Sequence, residues 1–368
     1  MFFMICAFAL TLRQCRTLMY ANIAGGFIML LTCIVFGGLQ VETGRFCILG
    51  SLYYENPNDL ALQLVVFIGC FAFLLFNRSW VLRALGGSAI ILTAWFLLKT
   101  ASRGAFVACM VLLVIAFIFT KSKLKMILLI LPIALLIPLV STDVLHRLVL
   151  IVASPETEPI HSESESEDIG SQTERQHLLW LSIQTTLKHP IFGVGPGMFI
   201  EATSGLDQKH GTYSPAVGTH NAYTQVSSEC GIPGLVFFLG VIVISIRKML
   251  KLYKQTTGIP ELSDISSLAY SVFLSCVGFA VAAFFYHVTY TGFVSLFAGM
   301  AMAIWMASEP VLRSHANLQP AALQSGTQAS GTRGVEPNGY GMPSVGPTPY
   351  GVRKRLFGEP RPASRPQS

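Results

Sequence analysis

Charge is scarce in this sequence: only 12% of its 368 residues are Asp, Glu, Lys or Arg, where a soluble domain carries about 25%. With 52% hydrophobic residues and a mean hydropathy of +0.58, that shortage excludes an ordinary soluble fold and indicates a polytopic membrane protein. The apolar runs hold no charged residue in their interiors. Coupled transporters and proton pumps keep an ionisable group near the membrane midplane, so the absence argues against transport and moves any chemistry to the membrane rim. Metal-binding patterns are missing too. There is no HExxH, no Cys/His cluster and no Asp-rich motif, and neither metal nor cofactor is expected. The eight cysteines form no CxxC pair, and most (Cys6, Cys33, Cys70, Cys109, Cys276) lie in apolar runs as small hydrophobes. Cys47 and Cys230 could meet outside the membrane. "GVGPG" at 193–197 lacks the Gly-Lys-Ser/Thr that completes a phosphate loop, which leaves a structural turn. Nothing points to nucleic acid.

What is present is a series of apolar runs, at roughly 1–12, 19–39, 60–76, 84–98, 104–120, 126–141, 231–246, 267–286 and 291–307. A bilayer core takes about 20 helical residues, with about 17 as the lower limit. The first run is too short to span and resembles the end of a helix. The runs at 84–98 and 231–246 must extend into polar flanks. Basic residues mark alternate connections: Arg13 and Arg16; Arg78 and Arg83; Lys121, Lys123 and Lys125; Arg247, Lys248, Lys251 and Lys254; then the C-terminal tail. By the positive-inside rule these are cytoplasmic and the connections between them external. Most of the 19 acidic residues fall on the external side. The divisions expected are transmembrane helices over 1–141, a large external loop over 142–230, further spans over 231–308 and a disordered cytoplasmic tail over 309–368. Within the loop, 154–171 reads as an acidic solvated stretch. Residues 173–189 read as an amphipathic helix on Leu179, Ile183 and Leu187, widened by Leu178 and Leu181, that lies on the membrane or packs on the bundle.

Three external arginines run against the charge rule: Arg45, Arg103 in "TASRGAF", and Arg175 at the start of the amphipathic helix. Each alone can be read as charge balance or as a snorkelling helix end. Together they suit another purpose. A guanidinium presents a planar fork of donors matched to phosphate oxygens, so the three could clamp the pyrophosphate of a lipid-linked substrate and stabilise it as it departs. His220 follows a Gly/Ser/Thr/Pro-rich loop and precedes "NAYTQVSSECG", which leads into the next span. An imidazole there is a natural general base for a hydroxyl at neutral pH, with Asn221 orienting it or bonding a sugar. Glu229 reads as a supporting residue at a helix end.

His220-Asn221, then nine residues, then "GIPG" over 231–234 resembles the signature of bacterial O-antigen ligases and their relatives. "HPIFGVGPGMF", "SRGAF" and "GRFCILGSLYYENPNDLA" resemble three further blocks in the same order, so the resemblance covers roughly 40–246. It implies an all-α polytopic fold of about nine transmembrane helices here, N-terminally incomplete against a twelve-helix family fold, with one large periplasmic loop containing short helices. It also implies an inverting, metal-independent glycosyltransferase of the inner membrane, its site facing the periplasm. Such an enzyme moves a glycan from undecaprenyl pyrophosphate to a lipid A core or polysaccharide acceptor. Carried over, His220 is the activating residue, Arg103 and Arg175 contact pyrophosphate, and Arg45 is a weaker candidate. A polysaccharide polymerase of the same family, a polysaccharide transporter and a non-catalytic envelope scaffold are the alternatives.

Overall fold

The computed structural model describes residues 1–40, 44–51, 54, 56–120, 124, 127, 130–131, 163–207, 218–286 and 290–329. Ten helices stand among them: α1 (Phe2–Phe8), α2 (Leu12–Phe36), α3 (Pro57–Leu75), α4 (Trp80–Lys99), α5 (Arg103–Phe119), α6 (Glu163–Lys188), α7 (Phe199–Asp207), α8 (Ala222–Thr256), α9 (Ser263–Ala282) and α10 (Phe293–Ala329). Strands β1 (Gly37–Leu39) and β2 (Phe46–Ile48) pair antiparallel between α2 and α3. Two compact units divide the chain, Met1–His315 and Ala316–Ser368; the helix bundle and the site belong to the first.

Helix boundaries follow local chemistry. Thr11 and Gln14 form a reciprocal capping box at α2. Asn56 caps α3, with Pro57 in its first turn and Asp59 complementing the helix dipole. Among the described residues six helices are long and apolar enough to cross a membrane, and α5, with 17 residues, sits at the lower limit. The chain is therefore an all-α multi-pass membrane protein, though fewer spans are described than the nine runs expected. The first run forms only α1, and the run at 126–141 lies almost wholly outside the described residues. The marginal runs lengthen as required, 84–98 into α4 and 231–246 into α8.

Helices α3 and α9 form the centre, and α2, α4, α5 and α8 pack around them. Their contact depends on small residues: Gly69 lies against the backbone of Ser275, whose hydroxyl donates to the Val66 carbonyl at 3.0 Å. Outer faces stay apolar, with Phe237 75% exposed and Ile28, Ile34 and Ile244 also open, as a lipid-facing surface requires. At one end of the bundle Arg16 bonds Asp264 at 2.7 Å and the Tyr253 hydroxyl donates to the Phe119 carbonyl. Residues assigned to one side by their charge pattern thus share an end of the molecule.

Two boundaries differ from expectation. Helix α6 begins at Glu163, inside the acidic stretch expected as a loop, and α10 runs on to Ala329, past the point where the composition turns polar.

Candidate functional site

The site is assembled at the other end of the bundle, where α3, α5 and α8 begin. Ser102 occupies the N-cap of α5, yet its side chain makes no cap bond. Its hydroxyl instead meets that of Tyr286 at 2.5 Å; the two residues are 4% and 2% exposed. Arg103 follows as the first residue of α5. Arg45 comes from the β-hairpin. Its Nε donates to the Thr100 carbonyl at 2.9 Å and an Nη to Asn58 Oδ1 at 2.7 Å, tying the hairpin to the α4–α5 corner and to the start of α3. Burial pushes the Tyr286 phenol up to about 12, while the Ser102 bond and the positive charges of Arg45 and Arg175 pull the other way. Arg45 thus bonds the corner that carries Ser102, Arg103 follows Ser102 in the chain, and Arg175 is near enough to act on the Tyr286 phenol.

The same short turn reaches the histidine. The Ala222 N–H donates to the Ala283 carbonyl at 2.9 Å, and the Tyr223 hydroxyl to the Ala280 carbonyl at 2.7 Å. Ala283 and Tyr286 are three residues apart, at most about 11 Å of chain. One end of this turn is bonded just beyond His220 and the other just before Arg103.

Among the described residues, Ala101 (φ 48°) and His220 (φ 50°) are the non-glycine residues with positive φ. Left-handed backbone costs a residue with a Cβ about 1–2 kcal/mol. Each stands immediately before the N-cap of a site helix, Ser102 and Asn221. Such strain collects at functional sites. Asn221 itself is largely accounted for by structure. Its Oδ1 accepts from the Tyr223 and Thr224 N–H groups at 2.9 and 3.2 Å, capping α8. That oxygen is thus engaged in the helix cap, while the amide nitrogen has no bond in the cap.

The two glycine segments lock together along α8. Val194 N–H donates to Ser228 O and Gly195 N–H to Glu229 O, both at 2.9 Å, and Ile232 N–H donates to Pro190 O at 2.8 Å. Gly231, with φ 74°, kinks α8 here. "GVGPG" is a turn held against the start of α8, and Glu229 supports it by accepting the Gly197 N–H at 3.0 Å and the Tyr290 hydroxyl. Helix α6 closes this side through Thr186, hydrogen-bonded to Ser227 at 2.9 Å. Cys47 is fully buried and Cys230 partly so, and no disulfide joins them.

An apolar cavity of about 200 Å3 lies between α3, α4, α5 and α9 and reaches from Ser102 to Thr120. Along α5 those residues are about 27 Å apart, close to the thickness of a bilayer core.

Residues 88–239 match the family model described as O-antigen ligase, and this stretch is an O-antigen ligase domain. The chain is thus a multi-pass membrane protein that carries a stretch similar to O-antigen ligases. No curated protein matches the chain. The matched stretch holds Arg103, Arg175, His220 and Asn221 but neither Arg45 nor Tyr286. Tyr286 escapes sequence reasoning because it ends an apolar run, with nothing to link it to Ser102, 184 residues away.

Proposed function

We propose that the protein transfers a glycan from undecaprenyl pyrophosphate to an acceptor hydroxyl at the periplasmic face of the bacterial inner membrane. His220 is the general base, and Arg103, Arg175 and Arg45 hold the pyrophosphate. The observation that carries this reading is the Thr100–Arg103 corner, bonded by Arg45 and joined through Tyr286 and the turn at Ala283 to the segment bearing His220. The acceptor O–H gives its proton to an imidazole nitrogen as its oxygen bonds the anomeric carbon from the face opposite the leaving group. The bond from that carbon to the phosphate oxygen breaks, its electron pair going to the pyrophosphate. Guanidinium groups offset the charge that develops there, and the sugar is inverted. The cavity running down α5 from Ser102 suits the isoprenoid chain of such a donor, its apolar lining in the membrane and its head at Arg103.

The acceptor is lipid A core in a ligase or a growing polysaccharide in a polymerase. In a deletion strain, accumulated lipid-linked polymer marks a ligase and accumulated single repeat units a polymerase. The test of the chemistry is His220→Ala on purified protein with a lipid-linked donor. Transfer should fall by at least about 100-fold, the share a general base supplies, and a variant working at wild-type rate would overturn the assignment.

A further inference from the structure

The turn Ala283–Tyr286 lies outside the matched domain, yet it touches both halves of the site. We infer that Tyr286 is a positioning residue for the transfer reaction: through its hydroxyl bond to Ser102 it fixes the Thr100–Arg103 corner, and so sets where Arg103 stands to receive the donor's pyrophosphate. This rests on the proposed glycan transfer.

Three features of the corner support it. First, the segment is held from two sides, Arg45 bonding the Thr100 carbonyl and Tyr286 bonding the Ser102 hydroxyl. Second, local preference is overridden twice in succession. Ala101 takes a left-handed backbone, and Ser102, a favoured capping residue in the capping position, turns its hydroxyl away from the helix and toward Tyr286. A corner shaped by helix propensity alone would do neither. Third, a Cβ on Gly104 would lie 2.4 Å from Phe285 Cβ, so the first turn of α5 and the 283–286 turn touch with no slack between them. A shift in one displaces the other. The ring of Tyr286 fills space; the hydroxyl is the part that selects where Ser102 sits.

Because Tyr286→Phe keeps the ring, it isolates the bond. The experiment uses the full chain in lipid nanodiscs, a synthetic polyprenyl-pyrophosphate-linked glycan and a saturating acceptor. KM for the donor should rise about tenfold in Tyr286→Phe, the loss expected when a buried hydroxyl is stranded, while kcat stays within about twofold because no group at the reacting carbon has changed. Ser102→Ala should show the same rise, the double variant no more than either alone, and Ser102→Thr should recover most of the wild-type KM. An unchanged donor KM in Tyr286→Phe, a loss confined to thermal stability, or losses that multiply in the double variant would overturn the inference. The function reading fails separately. A wild-type protein inert on this donor would sink it, and titrating polyprenyl pyrophosphate into wild type and Tyr286→Phe would then decide the inference by whether affinity falls tenfold.

Discussion

Glu229 sits where a carboxylate is costly, 3% exposed beside the kink in α8, and what makes the position tolerable is its pair of donors. Burial, then the bond and charge of Glu229, push the Tyr290 phenol well above its ordinary value, so it remains a donor throughout the working pH range. Glu229→Ala would strand both donors and should destabilise the protein by about 3 kcal/mol, while Glu229→Gln keeps one acceptor oxygen and should cost about half as much. Thermal unfolding in detergent distinguishes them, and equal melting temperatures would show that the carboxylate holds nothing. Two residues further on the constraint is steric. A Cβ on Gly231 would lie 2.3 Å from the Ile191 carbonyl oxygen, at a φ of 74°. Gly231→Ala combines a backbone clash with a left-handed penalty and should cost at least about 2 kcal/mol. Both glycines of the "GIPG" block are thus explained by packing at the kink, since Gly234 is also crowded, by Cys230 Cβ at 2.5 Å.

Helix α6 shows how far an element can be read from its residues. Its apolar pattern predicts a two-sided helix, and the structure divides the faces: Leu178 and Leu181 are buried with Phe199, while Trp180, Leu187, Ile191 and Phe192 on α6 and just beyond are all more than half exposed. The sequence leaves packing on the bundle and lying on the membrane as alternatives; in the structure one face of the helix is packed and the other is exposed. The start at Glu163 is not legible from composition, because acidic residues that suit a solvated loop are also favoured in the first turns of a helix. The exposed face gives a direct expectation. Trp180 fluorescence should be quenched by bromine-labelled lipids in nanodiscs, and Leu187→Ser with Phe192→Ser should weaken that quenching while leaving the melting temperature within about 2 °C, since surface changes seldom exceed 0.5 kcal/mol. Quenching that never appears would mean the face points into water.

At the scale of the whole molecule, the membrane class and the long spans were legible, because hydropathy is a property of single segments. The pairings were not. Nothing in the sequence says that Arg45 bonds the corner at Thr100, or that Ser102 meets Tyr286, because those contacts depend on which helices sit together. That arrangement depends on close approach at the centre. Helices α3 and α9 are the most deeply buried of the spans, and a Cβ on Gly69 would lie 2.3 Å from Ser275 Oγ, 2.5 Å from its nitrogen and 2.8 Å from the Ser271 carbonyl oxygen. Two of those three atoms are backbone and cannot turn aside. Gly69→Val must push α9 outward, and α9 ends at Ala282, immediately before the turn bonded to Ala222 and to Ser102, neighbours of His220 and Arg103. The variant should lose about 3 kcal/mol or more, at the upper end of overpacking. What folds should also lose donor binding, because the displacement reaches the site. Gly87 on α4 has nothing within 4 Å of its would-be Cβ, so Gly87→Ala is the matched control and should be silent in both measurements. Size-exclusion of the detergent-solubilised protein reports the first effect and titration with polyprenyl pyrophosphate the second. A Gly69→Val protein that is monodisperse and binds like wild type would show that the central helices do not set the geometry at the rim.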